Sequence, residues 1–233
     1  MNTKEIINLI ENFAPLETQE GWDNCGVQID FDDREIKKVL LALDVTEQSI
    51  NQAIEKKCDM LISHHPLFFV PFSFNNNIPI YSAHTNLDKA DGGTTDTIIE
   101  TLDFKHSQKV GDFLRIVELN QQMSLNDLIN LLKDKLELEA IRVVNNLNQQ
   151  SVKKVAFCAG SGVDFAGEAQ RSGAEVFITG DLKYHNALDS KIVLIDIGHF
   201  ESERPVLKTI KKLLEPLNIE VIIADEKSPF INY

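Results

Sequence analysis

Cysteine is scarce in this chain. There are three, Cys25, Cys58 and Cys158, an odd number with no CxxC spacing. That excludes a disulfide framework and a closed thiolate zinc cage as organising devices. Cys58 and Cys158 lie beside apolar runs and read as small core residues in a reducing compartment. Positive charge is also short, with 23 Lys and Arg against 36 Asp and Glu and a formal net charge of −13. The lysine pairs at 37–38, 56–57, 153–154 and 211–212 are scattered, so no basic patch overrides that balance. Nucleic acid and anionic lipid are therefore poor partners. No apolar run approaches the length of a membrane span. The opening MNTKEIINLIENFAP carries Glu5 and Glu11 in an amphipathic helical pattern, which is not a signal peptide. The expectation is a cytoplasmic protein with neither a nucleic-acid nor a membrane partner.

What is present is an α/β pattern. At 233 residues and 43% hydrophobic content, the chain can build one large core or two smaller ones. Thr3 is placed to cap a first helix whose apolar face is Ile6, Ile7, Leu9, Ile10 and Phe13, with Pro15 as its stop. VLLALDV (39–45), a helix from Thr46 to about Lys57, and DMLISHH form a strand-helix-strand unit. IPIYSAH (78–84) reads as a further strand, and Thr94 or Thr95 opens a helix through Leu102. Beyond lie LRIVEL, a helix capped by Ser124 with Asp127 three residues on, and AIRVVN. Short apolar strands alternating with helices predict an α/β fold with buried, largely parallel pairing.

The chain also aligns on itself. Val39–His65 lies without a gap over Val155–Asp181, an offset of 155 − 39 = 116. One matching unit is explained about as well by shared architecture as by a repeat. A second coincidence favours the repeat, because the next apolar strand in each half leads to a histidine followed four residues later by a carboxylate. These pairs are His84 with Asp88 and His199 with Glu203, at an offset of 199 − 84 = 115. The pattern predicts two similar α/β domains related by an internal pseudo-repeat, residues 1–110 and 111–233, with a metal site in the cleft between them. Residues near the C-terminus are expected to pack on the first half.

The chemistry gathers at strand ends, where ligands bind in open α/β sheets. Four apolar strands end in SHHP, AHTNLD, TGDLKYH and IGHFESE, which accounts for His64, His65, His84, His185 and His199. His106, in DFKHSQK, reads as a surface residue. A lone histidine at a strand end is more often structural than a ligand, but the convergence of several points to metal. Imidazoles and carboxylates without thiolates suit Zn, Mn, Fe, Co or Ni. Ser202 reads as an N-cap that places Glu203 in a first helical turn. On an extended segment His64 and His65 point to opposite sides, so each is expected to serve its own ion. The resulting arrangement is two ions about 3.5 to 4 Å apart, with Asp88 able to bridge them.

GWDNCGVQ (21–28), DMLISHHPLFF, AHTNLDKADGG, GDLKYHNALDS, IDIGHFESERP and DEKSPF run nearly end to end. Together they resemble the dinuclear-metal family of type-two homologues of GTP cyclohydrolase one, also called NGG-interacting-factor-three-like. The resemblance implies that His64, His65, Asp88, His199 and Glu203 ligate two divalent metal ions, with Asp88 and Glu203 bridging. It implies two similar domains and a ring-shaped homohexamer. The family name implies opening of the GTP purine ring, although fold and ligands transfer more readily than a reaction does. Many bacterial members carry an extra domain between the halves, for which this chain has no room.

The enzyme reading is a metal-dependent hydrolase of a nucleotide or related small molecule, with His84 or His185 as acid or base. Its rivals are a metal carrier without turnover and an interaction scaffold. Asp181 and His185 are candidates to orient ligands or move protons, with a structural role an equal alternative. Gly92, Gly93 and the AGSG at 159–162 can present backbone N–H groups to a phosphate, though a turn and a cap is the commoner reading. Trp22, Asp23 and Asn24 sit in a polar loop, which the family resemblance alone implies covers the site.

Overall fold

Helix α1 (Thr3–Phe13) opens the computed structural model, which describes residues 1–29, 33–67 and 78–231. Phe68 and Phe69 of the SHHPLFF motif lie outside the described residues. The cap of α1 is Asn2, not Thr3. The Asn2 side chain accepts the Glu5 N–H at 2.9 Å, and the Glu5 carboxylate accepts the Asn2 N–H at 2.7 Å. Such a reciprocal box needs an acid three residues after the cap, and three residues after Thr3 stands Ile6.

Strands β1 (Gly26–Ile29) and β2 (Lys38–Ala42), helix α2 (Glu47–Glu55), strands β3 (Met60–Ser63) and β4 (Ile80–Ser82) and helix α3 (Thr85–Lys89) follow. A second unit begins at helix α4 (Thr94–Thr101). It continues through β5 (Ser107–Val110), β6 (Leu114–Ser124), α5 (Leu125–Leu136), β7 (Arg142–Val144) and β8 (Ser151–Phe157). Then come α6 (Ala166–Arg171), β9 (Val176–Thr179), α7 (Tyr184–Leu188), β10 (Val193–Asp196) and α8 (His199–Glu203). Helix α9 (Val206–Leu214) and strand β11 (Glu220–Ile223) return to the first unit, which comprises Met1–Gly93 and Val206–Lys227.

The first unit's sheet has the order β1-β4-β3-β2-β11, and the second's the order β5-β6-β8-β9-β10-β7. In each, one face of the central strands packs against one set of helices and the other face against another. Val39, Leu41, Met60 and Ile62 meet Ile6, Ile10, Val206 and Ile210, while Leu40 and Leu61 meet Ile50 and Ala53. Val155, Phe157, Val176 and Ile178 meet Leu128 and Leu132, while Ala156 and Phe177 meet Val163 and Ala169. Burial on both faces is why these strands are continuous apolar runs. Among the described residues, parallel pairing is confined to the four strands β4-β3-β2-β11 and the three strands β8-β9-β10. Strands β1, β5, β6 and β7 pair antiparallel. The short β5–β6 connection permits only a hairpin, since a parallel crossover needs a dozen or more residues.

The repeat holds at the level of register. Val39 pairs with Met60 and Val155 with Val176, so both strands are displaced by the same 116 positions. The order β4-β3-β2 recurs as β10-β9-β8, and each block carries an antiparallel strand beyond β4 or β10. The second offset is different. Leu61 pairs with Ile80 and Phe177 with Leu194, so the third strands are displaced by 194 − 80 = 114. Only Ala83 separates β4 from His84, whereas Ile197 and Gly198 separate β10 from His199. The two histidines are therefore one residue out of step, and Gly198, at φ +89°, is the added residue.

Candidate metal centre

Strand β3 ends at Ser63, and there the backbone turns. The N–H groups of His64 and His65 donate to the carbonyls of Ala42 and Leu43 at 3.2 and 2.9 Å. In a strand, successive N–H groups alternate between the two neighbours, so bonding to one neighbour marks the end of the alternation. The expected divergence of His64 and His65 is lost with it. Their ring centroids are 4.9 Å apart, and His84 joins at 5.1 and 5.3 Å from the two. One ring nitrogen from each of the three lies within 4.8 Å of the others.

Each of these rings is held through Nδ1. His64 Nδ1 lies 2.9 Å from the Ala83 carbonyl, His65 Nδ1 2.8 Å from Asp44 Oδ1, and His84 Nδ1 2.9 Å from Asp23 Oδ1. In the second unit His199 Nδ1 lies 2.7 Å from Asp181 Oδ2. An oxygen acceptor at Nδ1 keeps the proton there and presents Nε2 as the donor atom, the usual support of a metal-binding imidazole. Asp88, on α3, brings Oδ1 to 3.6 Å from His64 Nε2.

Asp23 also accepts the Thr85 N–H at 3.0 Å, the Thr85 hydroxyl at 2.5 Å and the Cys25 thiol at 3.1 Å. Burial alone would raise its pKa. These bonds and the one from His84 outweigh burial and hold the carboxyl well below the usual range. Burial, followed by the neighbouring His64, lowers the pKa of His84 despite Asp88 and Asp23, which favours the neutral imidazole. Burial and Asp23 push the Cys25 thiol up to about 11, so it is no thiolate ligand.

In the second unit His199 is the first residue of α8 and Glu203 the last, with Nε2 and Oε2 3.0 Å apart. Ser202 is not the cap. Gly198 occupies that position, and the positive φ there turns the chain directly into the helix. The buried Ser202 hydroxyl instead donates to the His199 carbonyl at 2.7 Å and accepts the Gly160 N–H at 2.9 Å. This ties the AGSG turn to α8. A Cβ on Gly160 would stand 2.1 Å from Glu203 Oε1, so glycine is required there for the close approach of Glu203.

His185 joins neither histidine group. It lies exposed on α7, its ring 5.5 Å from that of Tyr184, and lines a cavity of about 340 Å³ with Gln170, Asn186 and Lys191. His106 is exposed. Asp44 and Glu226 escaped the sequence reading. Glu226 accepts the N–H groups of Leu43 and Asp44 at 2.7 and 3.2 Å, fixing the turn from which Asp44 reaches His65. The rule that polar residues at strand ends do chemistry picks out Asp44 in VLLALDV. Nothing in the DEKSPF segment announces the Glu226 contact.

Imidazoles supported through Nδ1, with carboxylates beside them, fit a divalent ion of borderline softness. Two proteins named "GTP cyclohydrolase 1 type 2 homolog" are each 38% identical to this chain, over 260 residues in Clostridium perfringens and 248 in Campylobacter jejuni. Each alignment covers 99% of both partners. A Staphylococcus aureus protein of the same name is 27% identical over an alignment of 361 positions, far more than the 233 residues here. Among solved structures, a hypothetical protein of Staphylococcus aureus superposes with a TM-score of 0.90 at 26% identity, covering 100% of this chain and 99% of its own. The family model described as Duf34/NIF3 (NGG1p interacting factor 3) matches residues 1–229, and the chain is a member of that family.

Proposed function

We propose that this protein is a metal-dependent hydrolase carrying two divalent ions per chain and acting on a nucleotide or a related small molecule. His64, His65, Asp88, His199 and Glu203 are the ligands in this reading. The observation that carries it is the shared support of the histidines, each held through Nδ1 by an oxygen acceptor. Divalent ions so held would supply a water of lowered pKa and polarise the bond to be broken. Asp44 and Asp181 orient two of the ligand rings. His84, oriented by Asp23 and favoured as the neutral imidazole, takes or returns a proton at Nε2. It is better placed for that role than His185, because its ring lies with His64 and His65. The name of the relatives supports a nucleotide-like substrate. Among the described residues no helix is long and apolar enough to cross a membrane. A cytoplasmic homohexamer completes the proposal.

One observation favours a second reading, a metal-handling protein. His84 groups so closely with His64 and His65 that it can itself be a ligand, which leaves no separate acid or base. Elemental analysis of protein purified without added metal, followed by a panel of nucleotides and phosphoesters, separates the two. The hydrolase reading expects two ions per chain, turnover of a panel member, and His84→Gln that keeps both ions while losing about 10²- to 10⁴-fold in rate. Metal-loaded protein that turns over nothing and yields its ions readily to a chelator establishes the carrier instead.

A further inference from the structure

Trp22 is the chain's single tryptophan, and the residue is left 63% exposed. Its ring centroid lies 6.0 Å from that of His84, nearly perpendicular at 76°. The loop that carries it is tightly tied. Cys25 N–H donates to Gln19 Oε1 at 2.9 Å, Glu20 N–H to the Thr85 hydroxyl at 2.9 Å, and Gln28 Nε2 to the Asn24 carbonyl at 2.6 Å. Asp23, next in sequence, is bonded to both His84 and Thr85. An indole is thus presented to solvent from a braced turn, beside a cluster of imidazoles.

We infer that Trp22 is the stacking platform for the planar ring of the substrate, the base of a nucleotide. The inference deepens the hydrolase reading and rests on it. A base has a π-face whatever its identity, and stacking on an aromatic side chain needs no charge. That matters in a chain of net charge −13, which attracts no anionic ligand over distance. Because the loop is already ordered, binding there costs little further conformational entropy. A ring lying on the indole is carried next to His84.

The lone tryptophan is its own reporter. Zinc-loaded full-length protein is titrated with guanosine 5′-monophosphate, guanosine and ribose 5-phosphate, reading both indole fluorescence and equilibrium dialysis. The two ring-bearing compounds are expected to bind and quench, and ribose 5-phosphate to bind more weakly without quenching. Trp22→Ala weakens the nucleotide by about tenfold or more, and Trp22→Phe restores most of the affinity. Equal affinity in wild type and Trp22→Ala overturns the inference, as does a change of oligomeric mass in Trp22→Ala, which would make the indole a contact between copies. If neither ring-bearing compound binds while two ions per chain remain, the stacking role fails and the metal assignment stands. If the ions themselves are absent, the hydrolase reading has failed.

Discussion

Glu226 accepts the backbone N–H of Leu43 at 2.7 Å across 183 residues of sequence. The same carboxylate takes the Asp44 N–H, and Asp44 in turn holds His65. Removing such an outer support costs typically about 10- to 100-fold in metal affinity. Asp44→Ala is expected to fall in that range. Glu226→Ala, one bond further away, should lose about tenfold or less. Competition with a chelator of known affinity measures both, and a wild-type affinity in Glu226→Ala would show that the C-terminal segment does not support the site.

With His199 as a ligand, as proposed, its protonation sets the pH dependence expected of metal binding. Burial alone would lower its pKa, but hydrogen bonds to Glu203 and Asp181 outweigh that and lift it to about 9. The folded value exceeds the unfolded value of about 6.5, so this contribution to metal-free stability is fully present below that pH and is lost as pH rises through about 9. A metal at Nε2 must displace the proton. Affinity attributable to His199 should therefore rise about tenfold per pH unit from neutrality and level off near pH 9. Chelator-buffered titrations from pH 7 to 10 read the slope, and a flat profile would show that His199 is not a ligand. Asp181→Ala should move the plateau to lower pH.

Gly160 and Gly167 make a matched pair of alanine substitutions. Gly160→Ala sets a Cβ against Glu203 at φ +62° and is expected to cost about 1 to 3 kcal/mol and to reduce bound metal. Gly167 lies in α6, where a Cβ meets the end of the flexible Arg171 side chain at 3.3 Å. Gly167→Ala should be neutral or stabilising by up to about 1 kcal/mol. Thermal melting together with metal analysis tests both, and unchanged metal content in Gly160→Ala would mean that Glu203 relaxes freely.

Glu203→Gln keeps the side chain's shape and removes its charge. Its partner His199 then keeps an acceptor but loses the negative charge of Glu203 that helps raise its pKa. Metal occupancy and any hydrolysis should fall together, by dialysis and by assay at matched protein concentration. Hydrolysis that persists at full occupancy would remove Glu203 from the ligand set.

Much of the protein is local and was therefore legible in its residues. Continuous apolar runs such as MLIS and VFIT must be buried on both faces, so the central strands and the α/β class follow from pattern alone, whereas the 116-residue self-match became a repeat only through the pairing register. The histidines could be found because strand ends collect polar side chains. The tertiary structure decided what depends on contacts distant in sequence. The second repeat offset is 114 in the strands because pairing register, not the spacing of look-alike motifs, sets equivalence. His64 and His65 converge because backbone bonds to Ala42 and Leu43 end the strand before them, and alternation applies only within a strand. Ser202 became a cross-link because Gly198 turns the chain one residue ahead of His199. Glu226 reaches Asp44 only because the chain returns through β11 beside β2, a parallel pairing that brings residues from opposite ends of the sequence to the same edge of one sheet.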